Sequence, residues 1–438
     1  MKPEFVISCP IDTYSGYGAR SRDVVKAIIE LDKYNVRIMS QRWGQTPWGF
    51  IRDNPEWGFL QKHIIPGGQL QRQPEIWMQI TVPNEFQPVG KYNIGCTAGI
   101  ETTACHHSWD EGCNRMDLIF ASSNHSKKVF MDSRYVHNNE KGEKIGELKL
   151  EKPVEVLFEG ANLDVYRPIT VKKDSSIKLN KIKEDFCYLF VGHWIKGEFG
   201  EDRKNVPLLI KAFYETFKNK SKKPALILKT SHAASSYMDR REIMKQINDL
   251  KNSVKGDRLP NVYLLHGDLS DDEMNELYNH PKVKAMVCLT KGEGFGRPLL
   301  EFSLSNKPIV TTNYSGHLDF LKPEFTNLVG GQIKQIHESA LVENILIKES
   351  GWFEPRHDEI DFYLRDVFSN YKKYVNLAKR QGYYSRSNFS FDKMREKIDT
   401  LLSSYAPEFP KQVKLKLPGL KKIELPKKKK IKKLVENG

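Results

Sequence analysis

The sequence predicts an α/β protein of two doubly wound, Rossmann-like domains facing each other across a cleft. Three observations carry this. Residues 283–321, VKAMVCLTKGEGFGRPLLEFSLSNKPIVTTNYSGHLDFL, read as strand, glycine-rich turn, helix and strand. Residues 5–40 show the same order, with glycines at the first turn. A polar, lysine-rich stretch at 172–183 separates the two βα series and reads as a linker.

In the first series, residues 5–9 predict a strand and DTYSGYG, 12–18, a turn. A helix follows over 21–31, with Val24, Val25, Ile28 and Ile29 as its apolar stripe. GYGAR lacks the GxGxxG dinucleotide fingerprint. Gly16 and Gly18 therefore mark either a plain turn or a loop that approaches a ligand between domains. Residues 43–68, rich in Trp, Gly and Pro, predict a long surface excursion. Strands are expected at 76–80, 92–97, 116–121 and 154–157, with Ser122-Ser123-Asn124 capping a helix from His125. GIETTACHHSW, after the second of these strands, puts Glu101, His106 and His107 where α/β folds place active sites. Glu101 is the stronger cleft candidate, the histidines are as readily structural, and Glu159 reads as a surface charge.

In the second series, the strand at 186–191 leads to Gly192-His193-Trp194 and a charged loop ending Arg203-Lys204-Asn205. Helices are expected over 207–217, 270–278, 338–347, 360–381 and 391–402, and strands at 225–229 and 262–265. At the centre lies the turn Gly292-Glu293-Gly294-Phe295-Gly296, with Pro298 opening the next helix. Free amides at a helix start attract anions. Glu293 and Glu301 bracket them, as hydroxyl acceptors or as ordinary charges flanking a buried helix. Together these suit a nucleotide sugar.

The chain has 438 residues, 39% of them hydrophobic, enough for two or three cored domains. No apolar run is long enough to predict a transmembrane helix. MKPEFVISCPID lacks a signal-peptide pattern, and six scattered cysteines without a CxxC suggest reduced thiols, so a cytoplasmic location is expected. Cys105, His106, His107 and Cys113 fit no common zinc spacing, so no metal site is expected. Of the net charge of +14, residues 411–438 hold +9, with eleven Lys and two Glu. This proline-broken tail is expected to stay flexible. It could contact DNA, an anionic membrane surface or only solvent.

Glu293 to Glu301, with Lys307-Pro308-Ile309-Val310 after it, resembles the Glu-x7-Glu signature of retaining GT-B glycosyltransferases, notably family 4. GHW with a downstream RKN resembles that family's donor-phosphate region, and EGANLDVYRP its interdomain segment. FSFDKMREKI, from Phe389, looks like the helix that crosses back to the first domain. The match is good over residues 186–404 and looser before them. It implies an N-terminal acceptor-side domain at 1–170, a nucleotide-sugar domain at 184–385, a crossover helix at 386–406 and a tail at 407–438. It further implies that Gly294, Phe295 and Gly296 offer amides to the donor, that Glu293 faces the sugar hydroxyls and that Glu301 accepts from the ribose. Arg203 and Lys204 would neutralise the diphosphate, and Asn162 and Asp164 would sit at the hinge near the cleft. The family often has Gly-Arg where this chain has Gly192-His193, so either His193 or Arg203 takes the phosphate role. The implied reaction is retaining transfer from a nucleotide-diphosphate sugar, with a UDP-sugar expected, to a hydroxyl, without metal or other cofactor. The acceptor is left open; a hydroxymethylated base in DNA is one alternative. A non-catalytic nucleotide- or glycan-binding module is the alternative of another class.

Overall fold

The computed structural model describes residues 2–138, 141–172, 175–195, 197–232 and 236–409. The N-terminal half builds one parallel sheet from β1 (Glu4–Cys9), β2 (Asn35–Ser40), β3 (Ile76–Ile80), β4 (Tyr92–Cys96) and β5 (Leu118–Ala121). A short antiparallel hairpin, β6 (Arg134–Asn138) and β7 (Lys144–Lys149), precedes the sixth strand, β8 (Val154–Val156). The order is β2-β1-β3-β4-β5-β8. β1 and β3 are buried along their whole length, so their apolar runs are continuous rather than alternating. Helices α1 (Gly16–Glu30), α2 (Phe50–Asp53), α3 (His107–Asn114) and α4 (Asn124–Asp132) follow strand ends. Ser15 and Ser123 cap α1 and α4 by accepting from main-chain amides of Gly18 and Ser126.

The C-terminal half repeats the plan. Its strands are β9 (Cys187–Val191), β10 (Ala225–Lys229), β11 (Val262–Leu265), β12 (Val283–Cys288), β13 (Ile309–Thr312) and β14 (Asn327–Val329), in the order β11-β10-β9-β12-β13-β14. Its helices are α5 (Val206–Phe217), α6 (Tyr237–Ser253), α7 (Asp271–Asn279), α8 (Arg297–Ser303), α9 (His357–Ser369) and α10 (Tyr371–Asn388). A hairpin of β15 (Gly331–Gln335) and β16 (Gly351–Pro355) stands beside the sheet. The strand order reverses at β1 in one sheet and at β9 in the other. Loops at such switch points form binding crevices, and the loops after β1, β4, β9 and β12 meet between the two sheets.

The last helix, α11 (Phe391–Tyr405), returns to the first domain. Met394, Ile398, Leu401 and Leu402 enter the core that α1 and β1 share. The main chain is fastened at the crossing, where Ala161 N–H donates to Phe389 O at 2.9 Å and Phe391 N–H to Ala161 O at 2.8 Å.

Several expectations differ from what is found. α1 begins at Gly16, five residues early, because Ser15 rather than a later residue caps it. Residues 43–68 are not a mere surface excursion, since Ile51 and Leu60 are buried in the N-terminal core. The polar linker packs too, with Ile177, Leu179 and Ile182 buried in the C-terminal core. The expected helix at 338–347 is only a short 3-10 turn, Glu338–Ala340. The one expected over 360–381 is two helices, broken at Asn370. α6 and both hairpins were not foreseen. The lysine-rich tail from residue 410 lies outside the described residues.

Candidate active site

The loop after β12 is stitched to the loop after β9. Lys291 N–H donates to Arg203 O at 2.7 Å, and the Arg203 guanidinium donates to Gly292 O at 2.9 Å. Glu293 is then pinned by its own backbone: its N–H donates to Ser315 Oγ at 2.8 Å and its carbonyl accepts from Gly316 N–H at 2.9 Å. Its side chain accepts from Lys204 Nζ with both oxygens, at 2.6 and 2.8 Å, and from Arg203 at 3.4 Å. Burial alone would raise this carboxyl, but Lys204 and Arg203 overcome it and hold the pKa at about 2. Arg203 also reaches Glu101 of the other domain at 3.3 Å.

A second charged group lies across the same space. Glu301 on α8 accepts from Arg297 Nε at 2.7 Å and from the Tyr278 hydroxyl at 3.4 Å. Burial dominates here and pushes the Glu301 pKa up to about 7, against the pull of Arg297. Arg297 extends further, to Asp23 on α1, and so joins the two domains. Between the two groups opens a cavity of about 690 Å³, lined from one side by Tyr14, Gly16, Arg22 and Phe50 and from the other by His193, Lys204, Arg297 and Glu301.

Of the residues singled out in the sequence, Gly16, Gly192, His193, Arg203, Lys204 and Glu301 line this cavity. Glu293 and Glu101 join it through their ion pairs. His193 is exposed at the cavity wall beside Lys204; desolvation and then that ammonium lower its pKa, and its Nδ1 sits 3.3 Å from Ser231 Oγ. Other expected residues lie elsewhere. Gly18 packs α1 on the preceding loop, where a Cβ would come within 2.3 Å of Thr13 O. Gly294 touches the other domain instead of the cavity: a Cβ there would lie 2.2 Å from Ala98 O, and its carbonyl accepts from Ser122 Oγ at 2.9 Å. Phe295 is core, against Phe320 and Phe389. Gly296 caps α8 at φ 96°, a left-handed conformation that suits glycine.

His106 caps α3, its ring nitrogen accepting from Ser108 N–H, and His107 is exposed 3.0 Å from Glu111. Neither lines the cavity, because the chain turns into α3 at that point. Asn162 accepts from Asp164 N–H at 3.0 Å in a local turn beside the Ala161 crossing, and Asp164 is exposed. Both sit near the hinge but outside the cavity, whose wall there is Tyr166. Glu159 is not a surface charge. It is half-buried, 3.9 Å from the buried Arg20, and desolvation raises its pKa. Arg22, Asp23, Tyr166 and Arg297 escaped the sequence reading. A local cluster hints at the first two: Arg20, Arg22 and Asp23 interrupt the apolar face of α1 and are all buried.

Residues 172–358 match the family model described as "Glycosyl transferases group 1". No curated protein matches. Solved structures align over nearly the whole chain. Sucrose-phosphate synthase from Thermosynechococcus elongatus gives a TM-score of 0.60 at 12% identity, over 92% of this chain and 99% of its own. A glycosyltransferase from Rickettsia africae gives 0.61 at 14%, over 92% and 98%. HepE of Anabaena, solved with UDP and glucose, gives 0.56 at 13%, over 92% and 100%. The chain has the GT-B fold. In GT-B terms the cavity lies between the two Rossmann-like domains, and the matched family region supplies Arg203, Lys204, Glu293 and Glu301. The family match over residues 172–358 and the GT-B fold together support a glycosyltransferase.

Proposed function

We propose that this protein is a retaining glycosyltransferase that moves a sugar from a UDP-sugar to a hydroxyl acceptor between its two domains. The observation that carries the reading is the exchangeable ion cluster Lys204–Glu293–Arg203–Glu101. A donor diphosphate brings the anionic oxygens these cations require. As it binds, it takes over Lys204 and Arg203 from the carboxylates. Glu293 is thereby released, still ionised, to accept from donor-sugar hydroxyls, while Glu301 accepts from the ribose. Glu101, freed from Arg203, stands on the acceptor-side domain and faces the same space.

The chemistry follows from charge. The anomeric carbon–oxygen bond breaks as negative charge gathers on the leaving diphosphate, and Lys204 and Arg203 sit where that charge develops. One such preorganised donor is worth about 3–4 kcal/mol of barrier. Two fixed cations can fill the role a divalent ion plays elsewhere, so the reaction is expected to proceed in a chelator. The acceptor proton passes to the leaving phosphate on the same face, and the anomeric configuration is kept.

Thermal unfolding with and without UDP-glucose or UDP tests the reading. A ligand at 100 times its dissociation constant stabilises by about 2.7 kcal/mol. Lys204→Ala should abolish that shift and donor hydrolysis alike. No shift and no hydrolysis with any common nucleotide sugar would leave a non-catalytic module in its place.

A further inference from the structure

A second cavity, of about 610 Å³, opens on the far side of the catalytic loop, under the β15–β16 hairpin. Strand alternation makes it. Lys334 pairs directly with Trp352, and Gln332 with Glu354, so Lys334, Trp352 and Glu354 share one face of the hairpin and all line the cavity. Phe353 takes the other face and stacks on Tyr314 at 5.5 Å. Lys291 forms the floor. Its side chain is 1% exposed and bonds to Glu354, with Glu201 at 3.9 Å. Its ammonium lies 5.4 Å from the Trp352 ring. Trp352 is also 1% exposed, and its indole N–H has no hydrogen-bond partner. A buried donor left unpaired carries a desolvation cost that a ligand acceptor would relieve.

We infer that this cavity, shaped by Lys291, Lys334, Trp352 and Glu354, is a binding site for a neutral saccharide unit, separate from the donor cavity. Its polar lining is close to balanced in charge: Lys291, Lys334 and Lys348 are set against Glu201, Glu338 and Glu354. A phosphate-bearing ligand calls for a surplus of cations. Balanced carboxylates and ammoniums instead supply the acceptors and donors that sugar hydroxyls need, and the indole N–H adds one more donor. Ile336 and Leu341 give an apolar wall for a ring face. The site touches the reaction centre through one residue: Lys291 N–H bonds to Arg203 O, and Lys291 O accepts from Phe353 N–H at 2.9 Å. A saccharide held here is thus felt at the cation that faces Glu293 and Glu101.

Saturation-transfer NMR titrations of the full chain with maltotriose, cellotriose and xylotriose, and with tripolyphosphate as anionic comparator, test this. At least one neutral trisaccharide should bind, and Lys334→Ala and Trp352→Phe should each weaken it at least tenfold. Trp352→Phe keeps an aromatic ring in the core while removing the N–H donor and part of the ring's volume, and its thermal unfolding checks that it folds. Lys204→Ala, in the donor cavity, should leave trisaccharide binding unchanged, which separates failure here from failure of the donor reading. Binding of tripolyphosphate alone, no binding of any trisaccharide, or binding indifferent to both hairpin variants would each overturn the assignment.

Discussion

At the scale of the residue, two carboxylates 8 positions apart on one motif end up at opposite ends of the titration range. Glu293 and Glu301 are both buried. Glu293 meets two cations head-on and stays ionised down to about pH 2, whereas Glu301 shares one arginine and is raised to about 7. The sign of each follows from whether ion pairing or desolvation dominates. In the proposed role, Glu301 would accept from ribose hydroxyls best as the carboxylate. Donor affinity is therefore expected to fall as pH drops through about 7 and to lose that dependence in Glu301→Gln, measured by UDP titration from pH 8.5 to 5.5. An unchanged slope in the variant would assign the titration to another group. Because the folded-state pKa of Glu301 is raised, its burial is tolerated best at low pH, and its contribution to stability declines as pH rises toward and through about 7. Glu293 behaves oppositely: its contribution is present above the ordinary carboxylate range and is lost as pH falls toward about 2.

At the scale of the element, close backbone approach decides where the site can form. α1 can begin at Gly16 and lie against the β1 loop only because Gly18 has no Cβ to strike Thr13 O. Gly18→Ala should shift the first turn of α1. Since that turn carries Gly16 and leads to Arg22, the variant should lose roughly 1–3 kcal/mol of stability, as overpacking does, and bind donor more weakly. Denaturant unfolding and a UDP titration read the two effects, and a loss in neither would show that the contact relaxes freely. The glycine motif works in the same way. Gly292 and Gly294 are spaces for the backbone of Glu101 and Ala98, so the turn that looked like an amide cradle is also the contact that lets the domains close.

At the scale of the whole molecule, α11 is what makes two sheets one body. Met394, Ile398, Leu401 and Leu402 are at most 4% exposed, all in the other domain's core. Each buried side chain of this kind is worth about 1.5–3 kcal/mol, and together they rival the stability of an ordinary domain. A chain ending at residue 389 should therefore expose the N-terminal core. It is expected to bind the dye ANS and melt at lower temperature, whereas one ending at residue 409 should melt like the full chain. Equal melting of the shorter form would mean that α11 only rests on that core.

The sequence by itself determined the two βα series, the strand order's raw material, and the residues that carry charge at Arg203, Lys204, Glu293 and Glu301. Apolar runs, glycine turns and short-range spacing are local properties, and local properties are written in order along the chain. It did not reveal that Asp23 would meet Arg297, that Glu101 would meet Arg203, or that Glu159 would pack beside the buried Arg20. Those pairings join positions from 102 to 274 residues apart in charge environments that exist only once the domains close. For the same reason His106 and His107, well placed past a strand end, turned away with α3, and Phe295 joined the core. Long-range desolvation decides which charge works and which merely packs, and only the tertiary structure creates it.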